Sequence, residues 1–300
     1  VKKKRLIFAS VVYPTTFSES SALLLAESIR EFAGSLSQSS IWYILLHYGK
    51  EHSRTVLERF RNIDVQLFPF DVNPEILRFP FAVDALAAEY AEKKTNGEVE
   101  ILAWLGSNTI VLNEPGDFLL SPKTGLGYRP VHHTLIGSEY EKPLDLFWKL
   151  IYECCGVTED QIFPMFGHID GLKIRPYFNA GFLVLRPERK LLQMWRRTFL
   201  DVYQKPDFQA FYEKDERYAI FMHQAILTGI VLSSFPRDQM QELPPAYNYP
   251  LHLYSEDRVD RPKRMEDLIA VRHEGLVEPE WMSTVPMEIA MRKWLEERIK

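Results

Sequence analysis

Continuous apolar runs alternate with helix-period segments along the first third of the chain. Residues 6–13 form a run rich in β-formers, and behind Ser18, a ready N-cap, apolar positions recur with helical spacing over 21–32. The unit then repeats, with 41–47 reading as a buried strand, 52–60 as a helix and 64–70 as a third strand. Pro80 can open the next helix, in which Phe81, Ala85, Ala88 and Tyr90 recur near the helical period until Asn96-Gly97 stops it; residues 101–105 make a fourth apolar strand. This alternation implies an α/β fold with a mostly parallel central sheet flanked by helices. Such sheets bind ligands at the carboxyl ends of their strands, which directs attention to Ser10, Val11 and Tyr13 and to the stretch from Leu105 to Asn108.

The second half is less regular. Strands are expected over 125–131 and 177–185, and helices over 144–153, 188–203, 218–228 and 286–299. A loop with Gly167 and Gly171 and another beginning at Pro244-Pro245 separate them, and there is no internal repeat. With 300 residues, 46% hydrophobic and 26% charged, the chain is long enough for one large domain. A net charge of -5 argues against a nucleic-acid binder, which needs a surplus or patch of Lys and Arg. The basic run from Lys2 to Arg5 is expected to lead into a buried first strand and not into a signal peptide, because Pro14 cuts the apolar stretch short. No segment approaches the roughly 20 apolar residues of a membrane span, so a cytoplasmic protein without a transmembrane segment is expected. Cys154 and Cys155 are adjacent and make neither a disulfide framework nor a zinc motif. There is no G-x-G-x-x-G, Walker, G-x-S-x-G, H-E-x-x-H or kinase signature.

Several separated segments carry a family likeness. The fourth strand runs into Gly106-Ser107-Asn108 and then a short apolar strand, Thr109-Ile110-Val111-Leu112. Further on stand Tyr177-Phe178-Asn179-Ala180-Gly181-Phe182-Leu183-Val184-Leu185, His223-Gln224-Ala225-Ile226-Leu227, Leu243-Pro244-Pro245-Ala246-Tyr247-Asn248-Tyr249 and Arg272-His273-Glu274-Gly275. In this order they resemble the Asp-x-Asp turn, the F-N-[AS]-G strand, the D-Q-D helix start, the L-P-x-x-[FY]-N loop and the closing H-x-x-G of the GT-A-type nucleotide-sugar glycosyltransferases, especially the glycogenin-like and bacterial retaining galactosyltransferase group. The likeness implies a single GT-A-like domain over 1–300. Its nucleotide-binding half would be 1–115, its sugar and acceptor half 116–285, and 286–300 a C-terminal helix.

The resemblance further implies a nucleotide-sugar donor such as a UDP-hexose, with the acceptor unknown. Ser10, Val11 and Tyr13 would receive the base, Gly106, Ser107, Asn108, Gly181, His273 and Gly275 would line the donor site, and Asn179 and Gln224 would act at the sugar. In the family the Asp-x-Asp turn holds Mn²⁺ or Mg²⁺ against the diphosphate, and the ion meets the charge that grows on the leaving group. Here the motif is degenerate: Gly106 offers no ligand and Asn108 a neutral amide. His223 and Ala225 replace acidic residues, and Phe81 to Asp84 stand where a cation often approaches the phosphates. No metal or other cofactor is therefore expected, unless His168 and Asp170 build a non-standard Mn²⁺ or Mg²⁺ site with His132, His133 or Glu139. Without an ion, Arg175, Arg272 or Lys173 would supply the missing charge. Tyr177, Tyr247, Tyr249 and Trp281 are further stacking candidates beside Tyr13. Asn179 and Gln224 suit a structural capping role as well as a binding role, and Gly181 a close-packing role. An inactive nucleotide-sugar-binding or scaffold protein on the same fold remains the alternative to a hexosyltransferase.

Overall fold

The computed structural model describes residues 4–259, 261–274 and 281–299. Strand β1 (Lys4–Val12), α1 (Thr16–Phe32), β2 (Ser40–His47), α2 (Arg54–Asn62), β3 (Val65–Asp71), α3 (Ala82–Lys94) and β4 (Val99–Leu105) follow the alternation that the apolar pattern predicts. Helix α1 starts earlier than Ser18 suggests. Thr15 is its N-cap, its hydroxyl accepting the Ser18 N–H at 3.3 Å, while the Ser18 hydroxyl reaches back to accept the Tyr13 N–H at 2.9 Å. Ser18 thereby braces the end of the first strand.

A short β5 (Thr109–Val111) follows β4 directly, and β6 (Leu126–Pro130), α4 (Leu146–Cys155), the hairpin β7 (Met165–Phe166) and β8 (Lys173–Ile174), and β9 (Phe178–Leu185) come next. Then come α5 (Leu191–Val202), α6 (Pro206–Lys214), α7 (Glu216–Ser234), β10 (Met240–Glu242), β11 (Tyr249–Pro250), β12 (Ala270–Arg272), α8 (Trp281–Thr284) and α9 (Ile289–Glu296). Two differences from the expected pattern have local causes. Helix α6 is opened by Pro206 and buries little beyond Phe208, so its apolar signal is weak. Helix α7 runs past Gly229, where a glycine would be expected to end it, because α4 packs so closely there that a Cβ would lie 2.5 Å from the Cys155 sulfur.

The central sheet has the order β10-β6-β9-β4-β1-β2-β3. Every neighbouring pair is parallel except those of β9, which runs antiparallel to β4 and β6. This one reversal brings the amino end of β9, with Asn179, to the edge where β1 and β4 end. Helices α3, α4, α5 and α7 cover one face, with Val11, Trp104, Trp148 and Trp195 in its core. Helices α1 and α2 cover the other, against Phe8, Tyr43 and Phe60. A small sheet, β11-β12-β5, stands at the ligand edge and packs Ile110, Tyr249 and Val271 against Leu24, Trp281 and Leu295. Among the described residues no helix is long and apolar enough to cross a membrane.

Candidate functional site

A cavity of about 760 Å³ opens where the ends of β1 and β4 meet the start of β9. Of the residues singled out from the sequence, Val11, Tyr13, Gly106, Ser107, Asn108, Asn179, Gly181 and Gln224 line it. Ser10 does not. Side chains alternate along a strand, so Val11 and Tyr13 face the cavity side while Ser10 is turned with Phe8 and Val12 to the other face and is fully buried. Tyr177, Tyr247, Tyr249 and Trp281 also lie off the cavity. Tyr177 packs edge-on against Trp148, Tyr247 stacks on Phe118, and the Tyr249 hydroxyl donates to Asp257 at 2.8 Å. Gly275 falls outside the described residues.

The turn Gly106-Ser107-Asn108 is tied down on both sides. The Gly106 N–H donates to the Gly181 carbonyl at 2.7 Å, the Asn108 amide nitrogen donates to the His273 carbonyl at 2.7 Å, and the His273 N–H donates to the Asn108 carbonyl at 3.0 Å. Asn108 thus clamps the end of β12 with a donor group that a carboxylate lacks. The His273 ring is enclosed between Phe17 and Trp281, and its nitrogens have no partner among the described residues. Burial pushes its pKa down to about 3, with Arg272 adding to the effect. For the Mn²⁺ or Mg²⁺ of an Asp-x-Asp turn, hard oxygen donors are required. The side chains of this turn offer only the neutral amide oxygen of Asn108 and the hydroxyl of Ser107, with the amide nitrogen already in use, and among the described residues no group of three His, Cys, Asp or Glu side chains is arranged to hold an ion. These donors do not fit such a metal.

Nor do the other metal candidates form such a group among the described residues, His168 standing with its ring centroid 6.1 Å from that of His132. Asp170 accepts from the Thr134 backbone and hydroxyl at 2.7 and 2.8 Å, Glu139 pairs with Lys142 at 2.6 Å, and His132 uses Nε2 on the Asn248 carbonyl at 3.0 Å. Among the three candidate cations, Lys173 pairs with Glu141, and Arg175 donates to Ser138, Glu139 and Lys142 away from the cavity. Only Arg272 reaches the cavity. Its Nη1 lies so close to Gly181 that a Cβ there would approach to 2.8 Å, and its Nε stands 3.5 Å from Glu274.

Asn179 and Gln224 have structural bonds as well as cavity exposure. Asn179 Oδ1 accepts the Gly181 N–H at 3.1 Å, and Gln224 Oε1 accepts the Ala180 N–H at 3.0 Å. A backbone N–H can only donate, so the oxygen end of each amide is fixed toward β9.

Sequence reasoning gave no part in the cavity to a second set of lining residues, although it named Phe81, Asp84, His133 and His223 on other grounds. Asp84, in the first turn of α3, accepts from the Tyr13 hydroxyl at 2.8 Å, and burial raises its pKa to about 6 although Tyr13 and Arg272 both favour the carboxylate. Phe81 lies over His223 with ring centroids 5.1 Å apart. At the far side, His133 faces Glu256 at 3.8 Å and His252 faces Glu274 at 4.0 Å. The Tyr13–Asp84 pair spans 71 residues, so the only local signal for it is the position of Asp84 at the start of a helix on the ligand edge.

Against known proteins, the family described as Rhodobacterales glycosyltransferase domain matches residues 10–228, well over half of the chain. No curated protein matches it. Among solved structures, the bifunctional glycosyltransferase WbbM in its apo form is 12% identical, with the likeness covering 98% of this chain and 52% of that one at a TM-score of 0.52. This chain therefore spans about half of WbbM. Galactosyltransferase LgtC, in complex with donor and acceptor sugar analogs, is 14% identical over 90% of this chain and 87% of its own, at 0.49. Mouse xyloside xylosyltransferase 1, in its apo form, is 13% identical over 91% and 98%, at 0.48. At such identities the likeness concerns the fold alone.

Proposed function

The chain belongs to the Rhodobacterales glycosyltransferase domain family and has a GT-A-type fold, and on that footing we propose that its cavity binds a nucleotide-sugar such as a UDP-hexose and transfers the hexose to an acceptor without an Asp-x-Asp metal ion. The observation that carries the proposal is Arg272, which reaches the cavity beside the turn where relatives would hold the ion. Loss of a nucleoside diphosphate leaves negative charge on the phosphate oxygens, and a guanidinium presents several N–H donors to them at once. Held in a partly enclosed cavity, such a group stabilises developing charge more than it would in water. Val11 and Tyr13, at the end of β1, form the wall for the base. Asn108 acts by holding the turn and β12 together, and Ser107 and Gly106 give the diphosphate close access to the backbone.

Calorimetry with UDP and UDP-hexoses, with and without Mn²⁺, tests the reading. Metal-independent binding that Arg272→Ala weakens, together with sugar transfer, is the expected result. Binding that requires Mn²⁺ would refute the absence of the ion. A second reading, a binding protein without transfer, is favoured by the carboxylates Asp84, Glu256 and Glu274, which outnumber Arg272 on the cavity wall and leave less positive charge for a leaving group. Binding of a UDP-hexose with no release of UDP on prolonged incubation with candidate acceptors would support it.

A further inference from the structure

Phe81 and Leu135 are held at positive φ, 53° and 44°, and both line the cavity with about half their surface exposed, 47% and 51%. The other non-glycine residues with positive φ among those described are Asp64, Asn96, Lys190 and Asn248, all polar. For a bulky apolar side chain the left-handed region is a costly conformation, and an exposed ring gains little from burial to offset it. Strain of this kind collects where a side chain must be aimed. At Phe81 it sets the N-cap of α3 and lays the ring against His223, over the cavity.

One helical turn further on, Asp84 faces the same cavity. The Tyr13 hydroxyl occupies one carboxylate oxygen at 2.8 Å, and a carboxylate has lone pairs left for further donors. Gln224 follows His223 directly, and with its oxygen on the Ala180 N–H and one amide hydrogen toward the Tyr177 hydroxyl it keeps the other hydrogen to offer. An aromatic face, an acceptor and a donor therefore share one wall. A pyranose presents the matching set: an apolar C–H face, hydroxyl hydrogens and hydroxyl oxygens.

We propose that the sugar of the donor rests on the Phe81 ring, with Asp84 accepting from its hydroxyls and Gln224 donating to them, and that this sugar is a neutral hexose and not a uronic acid. The inference rests on the nucleotide-sugar reading above and specifies its sugar subsite. A uronate would bring a second carboxylate against Asp84, and Arg272, the nearby cation, is engaged by the diphosphate in that reading.

Calorimetry on the full chain separates the two readings. UDP alone tests nucleotide binding; UDP-glucose, UDP-galactose and UDP-glucuronate test the subsite. The wild-type protein should bind one of the hexose donors about tenfold more tightly than UDP, and UDP-glucuronate no better than UDP. Phe81→Gly relieves the backbone and removes the ring, so it should melt no lower than wild type, keep its UDP affinity within about twofold and lose the gain from the hexose. Asp84→Asn should narrow the gap between hexose and glucuronate. UDP-glucuronate binding wild type as tightly as the hexose donors would overturn the inference, as would a hexose gain that survives both substitutions. Failure of UDP itself to bind would instead overturn the nucleotide-sugar reading, and the subsite with it.

Discussion

Replacing Gly181 by alanine should separate binding from stability. Gly181 does not have positive φ, so an alanine backbone fits β9 as it stands. The new methyl group would stand 2.8 Å from Arg272 Nη1 and 3.5 Å from Asn179 Oδ1, closer to the guanidinium than carbon atoms come. Backbone on that side is fixed by the bond between Gly106 and Gly181, so the flexible arginine is what yields. Glycine to alanine within a strand gains about 0.5–1 kcal/mol, which the crowding offsets, and the melting temperature should change little. A guanidinium moved off the diphosphate loses about 1.5–3 kcal/mol of charge-assisted hydrogen bonding, or about 10- to 150-fold in UDP affinity. Thermal melts and UDP calorimetry on the same preparation measure both. Unchanged UDP affinity at unchanged melting temperature would show that Arg272 is not the group that meets the phosphates.

Three further substitutions probe the fold around the site. Asn108→Asp sets a carboxylate against the His273 carbonyl in place of a 2.7 Å hydrogen bond, at a cost of about 1–3 kcal/mol; it should lower the melting temperature without creating Mn²⁺-dependent UDP binding, and such binding would contradict the reading of the turn. Glu92 accepts the Leu192 and Gln193 N–H groups at 3.2 and 2.9 Å, and burial raises its pKa from 4.5 to about 7. Because the unfolded chain releases that proton first, stability should fall as pH rises from 4.5 to about 7, by up to roughly 3 kcal/mol; urea midpoints of Glu92→Gln should be flatter across that window, and parallel slopes would refute the assignment. Gly229→Ala sets a methyl group 2.5 Å from the Cys155 sulfur and 2.7 Å from its Cβ and should cost about 1–3 kcal/mol; because both atoms crowd it, a double-mutant cycle read by denaturant unfolding should recover more of that cost with Cys155→Gly than with Cys155→Ala, and no recovery with either would place the strain elsewhere.

The strand and helix alternation of the first half was legible because each unit buries a continuous apolar run. Val11 and Tyr13 were legible with it, since the carboxyl end of the first strand is fixed by Pro14, but Ser10 was misplaced by treating neighbouring residues as one surface when they alternate. Asn179 reaches the site only because β9 runs against its neighbours, which no local pattern in 177–185 announces. Asp84 and Phe81 were seen as absences of a cation, and their own chemistry became visible only once α3 was set beside Tyr13 and His223. Arg272 was named among three cations that the sequence alone could not tell apart. Long-range pairing decided between them.

That pairing also explains why Arg272 and not its neighbour His273 lines the cavity. Strand β12 runs antiparallel to β5 with Arg272 opposite Thr109, and successive side chains on a strand face opposite ways. In this register Arg272 enters the cavity while the His273 ring is shut between Phe17 and Trp281. A slip of one residue would reverse them, presenting an imidazole and burying a guanidinium, an ion that is costly to desolvate. The register is held at its open end by Asn108, whose amide and carbonyl bond the His273 carbonyl and N–H. Aspartate at this position has no N–H to give. The Asn108 amide, whatever its place in the resemblance, therefore has a structural task at the turn: it helps to hold the register in which Arg272 faces the cavity.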